Sequence, residues 1–150
     1  MGQVMQLSTH TDFSLRVLIY LALQKECTPV TVQKIADDYG ISANHVAKVA
    51  QTLTQLGYVQ SLRGRSGGLV LAVLAQDINV GQVVRAVENL KLLECFASGS
   101  VCPIESACKL KGILQKAQQA FLATLDEYTL ADLVGQPQAL EQLLFRSGAL

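Results

Sequence analysis

The sequence predicts a mainly α-helical fold with a small β wing: a winged helix-turn-helix joined to a long dimerisation helix. Two observations carry this prediction. Apolar residues recur at helical spacing along most of the chain, whereas a short, basic, glycine-rich segment separates two runs that are typical of strands. With 150 residues, of which 50% are hydrophobic, the chain can bury one substantial core, or a small domain plus a dimerisation element.

Three helices are expected in the first part of the chain. The first covers residues 9–23, and the second covers residues 32–39, with Thr31 as its N-cap and Gly40 at its end. Ser42 caps a third helix, which runs to about residue 56. Two helices joined by a short turn that contains glycine are the signature of a helix-turn-helix.

The pattern then changes to two strands and four further helices. The strands are expected over residues 58–62 and 69–73, on either side of a wing tip with the sequence RGRSGG. The helices are expected over residues 80–89, 106–126, 130–134 and 138–145. The predicted organisation is a winged domain (5–90), a loop that contains three cysteines (91–109), a dimerisation helix (106–127) and short C-terminal helices (128–150).

The charges are unevenly distributed although the formal net charge is zero. No Asp or Glu occurs between residues 39 and 76, a window that contains the third helix and the wing. A locally basic surface of this kind is typical of a protein that binds double-stranded DNA. The alternatives are a merely solvated surface and a winged domain that contacts proteins. The residues predicted to contact DNA are Ser42, Asn44, His45, Lys48, Arg63, Arg65, Ser66, Gly67 and Gly68.

Three cysteines, Cys95, Cys102 and Cys108, are separated by six and five residues. No C-x-x-C pair occurs, so the spacing differs from that of a zinc ribbon. In a chain without a secretion signal, three soft thiolates suit a metal centre better than disulfides, and they can hold three corners of an iron–sulfur cluster. Unligated thiols at a dimer interface and a zinc or redox-thiol site remain open as alternatives.

Four segments resemble the Rrf-type family of bacterial winged-helix iron–sulfur regulators, and within it most closely the repressors that sense nitric oxide. They are MQLSTHTDFSLRVLIYLAL, RGRSGGLVLA, the three cysteines followed by ACKLKGIL, and DEYTLADLV. The resemblance implies a homodimer whose long helices cross and which binds a palindromic operator. It also implies an iron–sulfur cluster on Cys95, Cys102 and Cys108, of the 4Fe-4S type with 2Fe-2S as the alternative, which handling in air can remove.

The fourth ligand of this cluster is implied by the same resemblance. Relatives that regulate cluster assembly have a histidine three residues after the third cysteine, where this chain has Lys111. The resemblance to the nitric-oxide-sensing branch instead points to Asp12, supplied by the partner subunit. Two structural roles for Asp12 stay open: a capping box with Thr9, and an ion pair with Arg16 one turn later.

The remaining features limit the classes of function. The chain starts without the basic and apolar regions of a signal peptide, and no apolar run reaches the roughly 18 residues of a membrane span, so we expect a cytoplasmic location and no membrane partner. Phosphate-loop, nucleophile-elbow and metalloprotease motifs are missing, so we expect no enzyme. A zinc- or thiol-based redox regulator and an iron–sulfur electron carrier without specific DNA binding are the alternative functions.

Overall fold

The computed structural model describes residues 6–93, 96 and 102–145. The described residues form a mainly helical fold with one two-stranded antiparallel sheet, which confirms the predicted fold class. The elements are α1 (Thr9–Ala22), α2 (Val32–Tyr39), α3 (Ala43–Gln55), β1 (Val59–Leu62), β2 (Gly68–Leu71), α4 (Val80–Val87), α5 (Lys109–Leu125), α6 (Leu130–Leu133) and α7 (Pro137–Leu144).

Local capping sets the helix-turn-helix, as the sequence predicts. Thr31 Oγ1 accepts a hydrogen bond from the backbone of Lys34 at 3.1 Å and starts α2. Gly40 ends α2 with a left-handed backbone (φ 67°), a conformation that glycine adopts without steric cost. Ser42 then caps α3, since its hydroxyl accepts from His45 N at 3.4 Å. Helix α3 packs against both α1 and α2.

The wing is a hairpin in which Val59 faces Leu71 and Leu62 faces Gly68. Both strands are shorter than predicted. Tyr58 N donates to Leu53 O at 3.0 Å, so residue 58 closes the end of α3 before the strand begins. The outer side of β2 carries a second pairing, a bridge between Leu69 and Val30 from the connection between α1 and α2.

The hydrophobic core lies between α1, α2, α3, α4 and the inner side of the wing. Its buried hydrophobic members are at most 8% exposed, and they come from all of these elements. The largest are Val17, Leu18, Tyr20, Ile35, Val46, Val49, Leu53, Ile78, Val83, Val84 and Leu130. The chain returns to this core after α5, because Leu130 is buried there. Leu130 N donates a hydrogen bond to Ile78 O at 2.8 Å.

Helix α5 starts later than predicted. Residues Glu105–Ala107 form a separate 3-10 turn, and Cys108 has an extended backbone (ψ 119°), so the α-helix begins at Lys109 and not at residue 106. Among the described residues of α5, Leu122 is the one that is buried. Its apolar stripe is instead solvent-facing: Leu110, Ile113 and Phe121 are 53%, 62% and 41% exposed.

The C-terminal end of α5 is attached to α4. Arg85 forms a two-pronged ion pair with Asp126, in which Nη2 donates to Oδ2 at 2.8 Å, and Asn79 Nδ2 donates to Asp126 O at 2.7 Å. Gly81 leaves room for this pair, because a Cβ there would lie 1.9 Å from Asp126 Oδ1. These contacts connect the long helix to the winged domain at its far end from the cysteines.

Helix α1 does not begin with the capping box of Thr9 and Asp12 that the sequence leaves open. Its N-cap is Ser8, whose hydroxyl accepts from Thr11 N, and Thr9 is the first helical residue. The capping box of Thr9 with Asp12 is therefore wrong. In the part of the chain that the structure describes, no helix is long and apolar enough to cross a membrane.

Candidate DNA-binding surface and metal centre

The exposed face of α3 carries the residues expected of a recognition helix. Ser42, Asn44 and Lys48 are exposed, and the opposite face of the helix is buried against α1 and α2. Gln51 was not predicted, yet it is exposed and lies one turn beyond Lys48 on the same face. The spacing Asn44, Lys48, Gln51 could have identified it, because residues three and four apart share a helix face.

His45 differs from the exposed Asn44 and Lys48, because it is partly buried and contacts α1. Its ring meets the edge of the Phe13 ring at a centroid distance of 4.7 Å, and the His10 ring lies 6.4 Å away, nearly parallel. The side chain thus forms a contact between α1 and the start of the recognition helix. A role of His45 in binding DNA stays a prediction.

At the wing tip, Arg63, Arg65 and Ser66 are all exposed. They are therefore accessible to a bound DNA.

The two glycines that follow the wing tip have a packing role inside the protein. A Cβ on Gly67 would lie 2.2 Å from Leu62 O, and one on Gly68 would lie 2.6 Å from Val30 O. Both positions therefore need glycine to close the wing and to seat it beside Val30, independently of any approach to DNA.

Two of the three predicted cluster ligands lie within a compact double turn. Glu105 N donates to Cys102 O at 3.2 Å, and Cys108 N donates to Glu105 O at 3.3 Å, so the turn brackets the 3-10 segment with a cysteine at each end. Both thiols are free; Cys102 is exposed and Cys108 is partly so. Cys95 lies outside the described residues. Lys111 donates from Nζ to Glu105 Oε1 at 2.7 Å.

Asp12 is paired within its own helix. Arg16 Nε donates to Asp12 Oδ1 at 3.0 Å, and the Asp12 side chain is still 47% exposed. The guanidinium lies over the rings of Phe13 and Tyr39, at 5.6 and 5.8 Å from their centroids. Burial raises the pKa of Tyr39 to about 12, although the neighbouring Arg16 acts in the opposite direction. Among the described residues, no three His, Cys, Asp or Glu side chains converge, so Asp12 is not brought to Cys102 and Cys108 of the same chain.

A carboxylate that sequence reasoning missed lies beside the start of α1. Glu88, which follows α4, accepts hydrogen bonds through Oε2 from Ser8 N and from Thr11 Oγ1, both at 2.7 Å. Burial opposes the charged form, but the hydrogen bonds outweigh it and hold the pKa of Glu88 below its usual value. No sequence pattern marks this residue, because its partners are about 80 positions away along the chain.

The helix-turn-helix, the exposed face of α3 and the basic wing together define a winged-helix DNA-binding protein. A family model described as "Rrf2: Iron-dependent Transcriptional regulator" matches residues 7–136. The chain therefore belongs to the Rrf2 family, and it is a transcriptional regulator of the NsrR type.

Two curated relatives support this assignment over nearly the whole chain. The HTH-type transcriptional regulator NsrR of Bacillus subtilis (strain 168) is 46% identical over 142 residues, which cover 93% of this chain and 97% of that protein. The NsrR protein of Shouchella clausii (strain KSM-K16) is 45% identical over 142 residues, which cover 93% and 95% of the two chains.

Solved structures share the same fold. T. potens IscR superimposes with a TM-score of 0.71 at 26% sequence identity, over 87% of each chain. CymR (YrzC), the global cysteine regulator of B. subtilis, superimposes with a TM-score of 0.68 at 25% identity, over 88% of this chain and 98% of its own.

Proposed function

We propose that this regulator is a homodimeric repressor that senses nitric oxide through an iron–sulfur cluster. Cys95, Cys102 and Cys108 of one subunit hold the cluster, and Asp12 of the other subunit is the fourth ligand. The observation that carries this proposal is the position of Asp12, which lies exposed in the first turn of α1, and α1 packs directly on the recognition helix.

The donor set fits an iron–sulfur cluster. Cys102 and Cys108 are free thiols at the two ends of one double turn, and neither is sequestered in the core. Thiolates are the ligands that such clusters require, and three of them in one segment leave a single position for a different donor. When bound, the cluster supplies an iron whose carboxylate ligand is harder, and more easily replaced by a small molecule, than its thiolates.

The exposed stripe of α5 supports the homodimer. A helix of 17 residues with one buried side chain has little to stabilise it within the monomer. Leu110, Ile113 and Phe121 lie on the same face, and the groove of about 320 Å³ beside them is lined mainly by apolar residues of α5 and of the segment after α4. A contiguous apolar face of this kind marks an interaction surface, and a second copy of α5 is its proposed partner.

The residues around Asp12 provide a route from the cluster to DNA. When Asp12 is released, its carboxylate returns to Arg16, which also touches the rings of Phe13 and Tyr39. Phe13 in turn contacts His45, the third residue of the recognition helix. A change at Asp12 is therefore three side chains away from the surface of α3 that faces DNA.

The coupling that repression needs is modest. Two sites in one protein typically influence each other by about 1–3 kcal/mol, which corresponds to roughly a 5–150-fold change in affinity. A dimer reads two half-sites at a fixed separation, so a small shift of one α1 relative to the partner is enough to weaken binding of a palindromic operator.

The proposal is tested with protein purified without oxygen. Visible and Mössbauer spectra should show an iron–sulfur cluster, and operator binding should weaken when nitric oxide is added. The Asp12→Ala protein should keep the three-cysteine cluster but lose the spectral component of the carboxylate-bound iron, and its release from DNA should need a different dose of nitric oxide. Asp77→Ala, which alters an exposed acid without a side-chain partner among the described residues, is the matched control.

Three outcomes would contradict the proposal. An Asp12→Ala protein with the wild-type spectrum and the wild-type response to nitric oxide would remove Asp12 from the site. A protein without a visible chromophore would indicate a zinc- or thiol-based regulator. A reversibly reducible cluster whose state leaves operator binding unchanged would indicate a cluster with no part in regulation.

A further inference from the structure

Glu88 connects the segment that leads to the cysteines with the first turn of α1. Its Oε2 accepts from Ser8 N and Thr11 Oγ1, both at 2.7 Å, and its Oε1 accepts from Asn89 N at 3.0 Å. Both oxygens of the carboxylate therefore accept hydrogen bonds. Glu88 also lies shortly before Cys95 in the sequence.

The hydrogen bond between Glu88 and Thr11 satisfies a buried hydroxyl. Thr11 is completely buried, and its hydroxyl donates to Glu88 while it accepts from the hydroxyl of Ser8 at 3.1 Å. A buried hydroxyl without partners is costly, and charge-assisted hydrogen bonds are stronger than neutral ones. The negative charge also lies at the N-terminus of α1, where the helix dipole favours an anion.

The same turn carries Asp12. Thr11 precedes Asp12 directly, and Asp12 N donates to Ser8 O at 3.0 Å, so both residues belong to the turn that Glu88 holds. Arg16, one turn later in the helix, donates a hydrogen bond to the Asp12 side chain. Through Ser8 and Thr11, Glu88 therefore holds the turn that contains the backbone of Asp12. The Asp12 side chain is paired instead with Arg16, a partner that it can exchange.

We propose that Glu88 is a positioning residue for the sensor. It holds the first turn of α1 so that Asp12 points in one direction toward the partner's cluster, and it thereby sets how long the carboxylate stays bound and how much nitric oxide the response needs. This inference rests on the proposed function, because it assumes that Asp12 is a ligand. Glu88 itself is not a ligand, since both of its oxygens are already used.

The first test uses metal-free protein and so does not depend on the cluster. Glu88→Gln keeps the size of the side chain but loses its charge, Thr11→Val removes the hydroxyl at constant shape, and Glu127→Gln is a control at an exposed acid outside the site. We expect backbone amides in the first turn of α1 to exchange hydrogen at least about fivefold faster in the first two variants and at the wild-type rate in the control.

The second test uses the cluster-loaded protein. We expect Glu88→Gln to retain the cluster on its three cysteines, with a weaker Mössbauer component for the carboxylate-bound iron and operator release at a several-fold lower dose of nitric oxide. Thr11→Val should shift both readouts in the same direction. A residue that only stabilised the fold would lower the melting temperature and leave the Mössbauer component of the remaining folded protein unchanged.

The outcomes separate the two proposals. If Asp12→Ala changes the spectrum and the response whereas Glu88→Gln and Thr11→Val match the wild type in amide exchange and in spectrum, the role of Glu88 is overturned and the proposed function stands. If Asp12→Ala changes neither readout, the proposed function fails and the positioning role falls with it.

Discussion

Arg16 Nε donates to Asp12 Oδ1 at 3.0 Å, so the carboxylate that we propose as a cluster ligand already has a partner within its own helix. Both side chains are more than 40% exposed. An exposed pair four residues apart on a helix stabilises it by only about 0.3–0.5 kcal/mol. Separation of Asp12 from Arg16 therefore costs little.

The first prediction concerns Arg16. The substitution Arg16→Gln removes the competing partner, so Asp12 should stay bound as a ligand slightly more often, by roughly a factor of two, the equivalent of about 0.3–0.5 kcal/mol. The dose of nitric oxide for half-maximal release from an operator, measured by fluorescence anisotropy, should rise accordingly. Lys34→Gln removes a pair of the same spacing, with Asp38 on α2, and should leave the dose unchanged.

The second prediction concerns the exposed face of α3. Asn44→Ala should weaken operator binding by about 1–3 kcal/mol if Asn44 pairs with a base. Lys48→Ala should lower the slope of log affinity against log salt by about 0.9, since one phosphate contact is lost. Gln76→Ala, at an exposed position outside α3 and the wing, should change neither value. Equal losses of affinity on operator and random DNA for Asn44→Ala would show that it contacts only the backbone of DNA.

The third prediction concerns Gly68, where a Cβ would lie 2.6 Å from the backbone oxygen of Val30. Because a backbone atom cannot give way as a flexible side chain does, Gly68→Ala should lower the free energy of unfolding by about 1–3 kcal/mol, measured with urea. Gly112→Ala on α5 is the control. Nothing lies within 4 Å of a Cβ there, and the helix should gain up to about 1 kcal/mol.

The fourth prediction is a pH dependence that Glu88 causes. Its pKa in the folded protein is lower than the ordinary value of 4.5, so the folded state binds the proton less readily than the unfolded state does. The stabilisation is therefore complete above the ordinary value and is lost as the pH falls through the lowered pKa. The difference in unfolding free energy between wild type and Glu88→Gln should be constant near neutral pH and shrink below pH 4.5. A difference that stayed constant to the acid limit would mean that the charge of Glu88 contributes nothing.

The fifth prediction concerns the exposed stripe of α5. Ile113 is 62% exposed, so Ile113→Lys should leave the winged domain folded while it shifts the protein toward monomers. Sedimentation velocity at several concentrations measures this shift, and circular dichroism checks the fold. Gln119→Lys adds the same charge to the opposite face of the helix and should not change the oligomeric state.

Elements with local signals were predicted well from the sequence. Helix α2 has the predicted bounds, because Thr31 and Gly40 act within a few residues of the ends that they set. The start of α5 was missed, because the amphipathic pattern continues through residues 106–108 although the backbone there forms a 3-10 turn and an extended residue. Periodicity records which positions are apolar, and it does not report where the hydrogen bonding changes.

In the candidate site, too, local features could be predicted and contacts between distant parts of the chain could not. Asn44, Lys48 and the wing arginines could be predicted as exposed because they are polar residues next to a recognisable motif, and their role in binding DNA stays a prediction. The contact of His45 with Phe13 and that of Glu88 with Thr11 join elements that are distant along the chain. Only packing in three dimensions creates these pairs, so no pattern in a single sequence could indicate them.

The bridge between Val30 and Leu69 has a consequence for how DNA is read. It joins β2 to the connection between α1 and α2, while the hydrogen bond from Tyr58 joins the start of β1 to the end of α3, so the wing is attached to the helix-turn-helix through both of its strands. In the proposed dimer, we therefore expect a signal to rotate one copy of this unit against the other rather than to bend it. Repression would then be sensitive to the helical phase of the two half-sites, and inserting half a turn of DNA between them should abolish it.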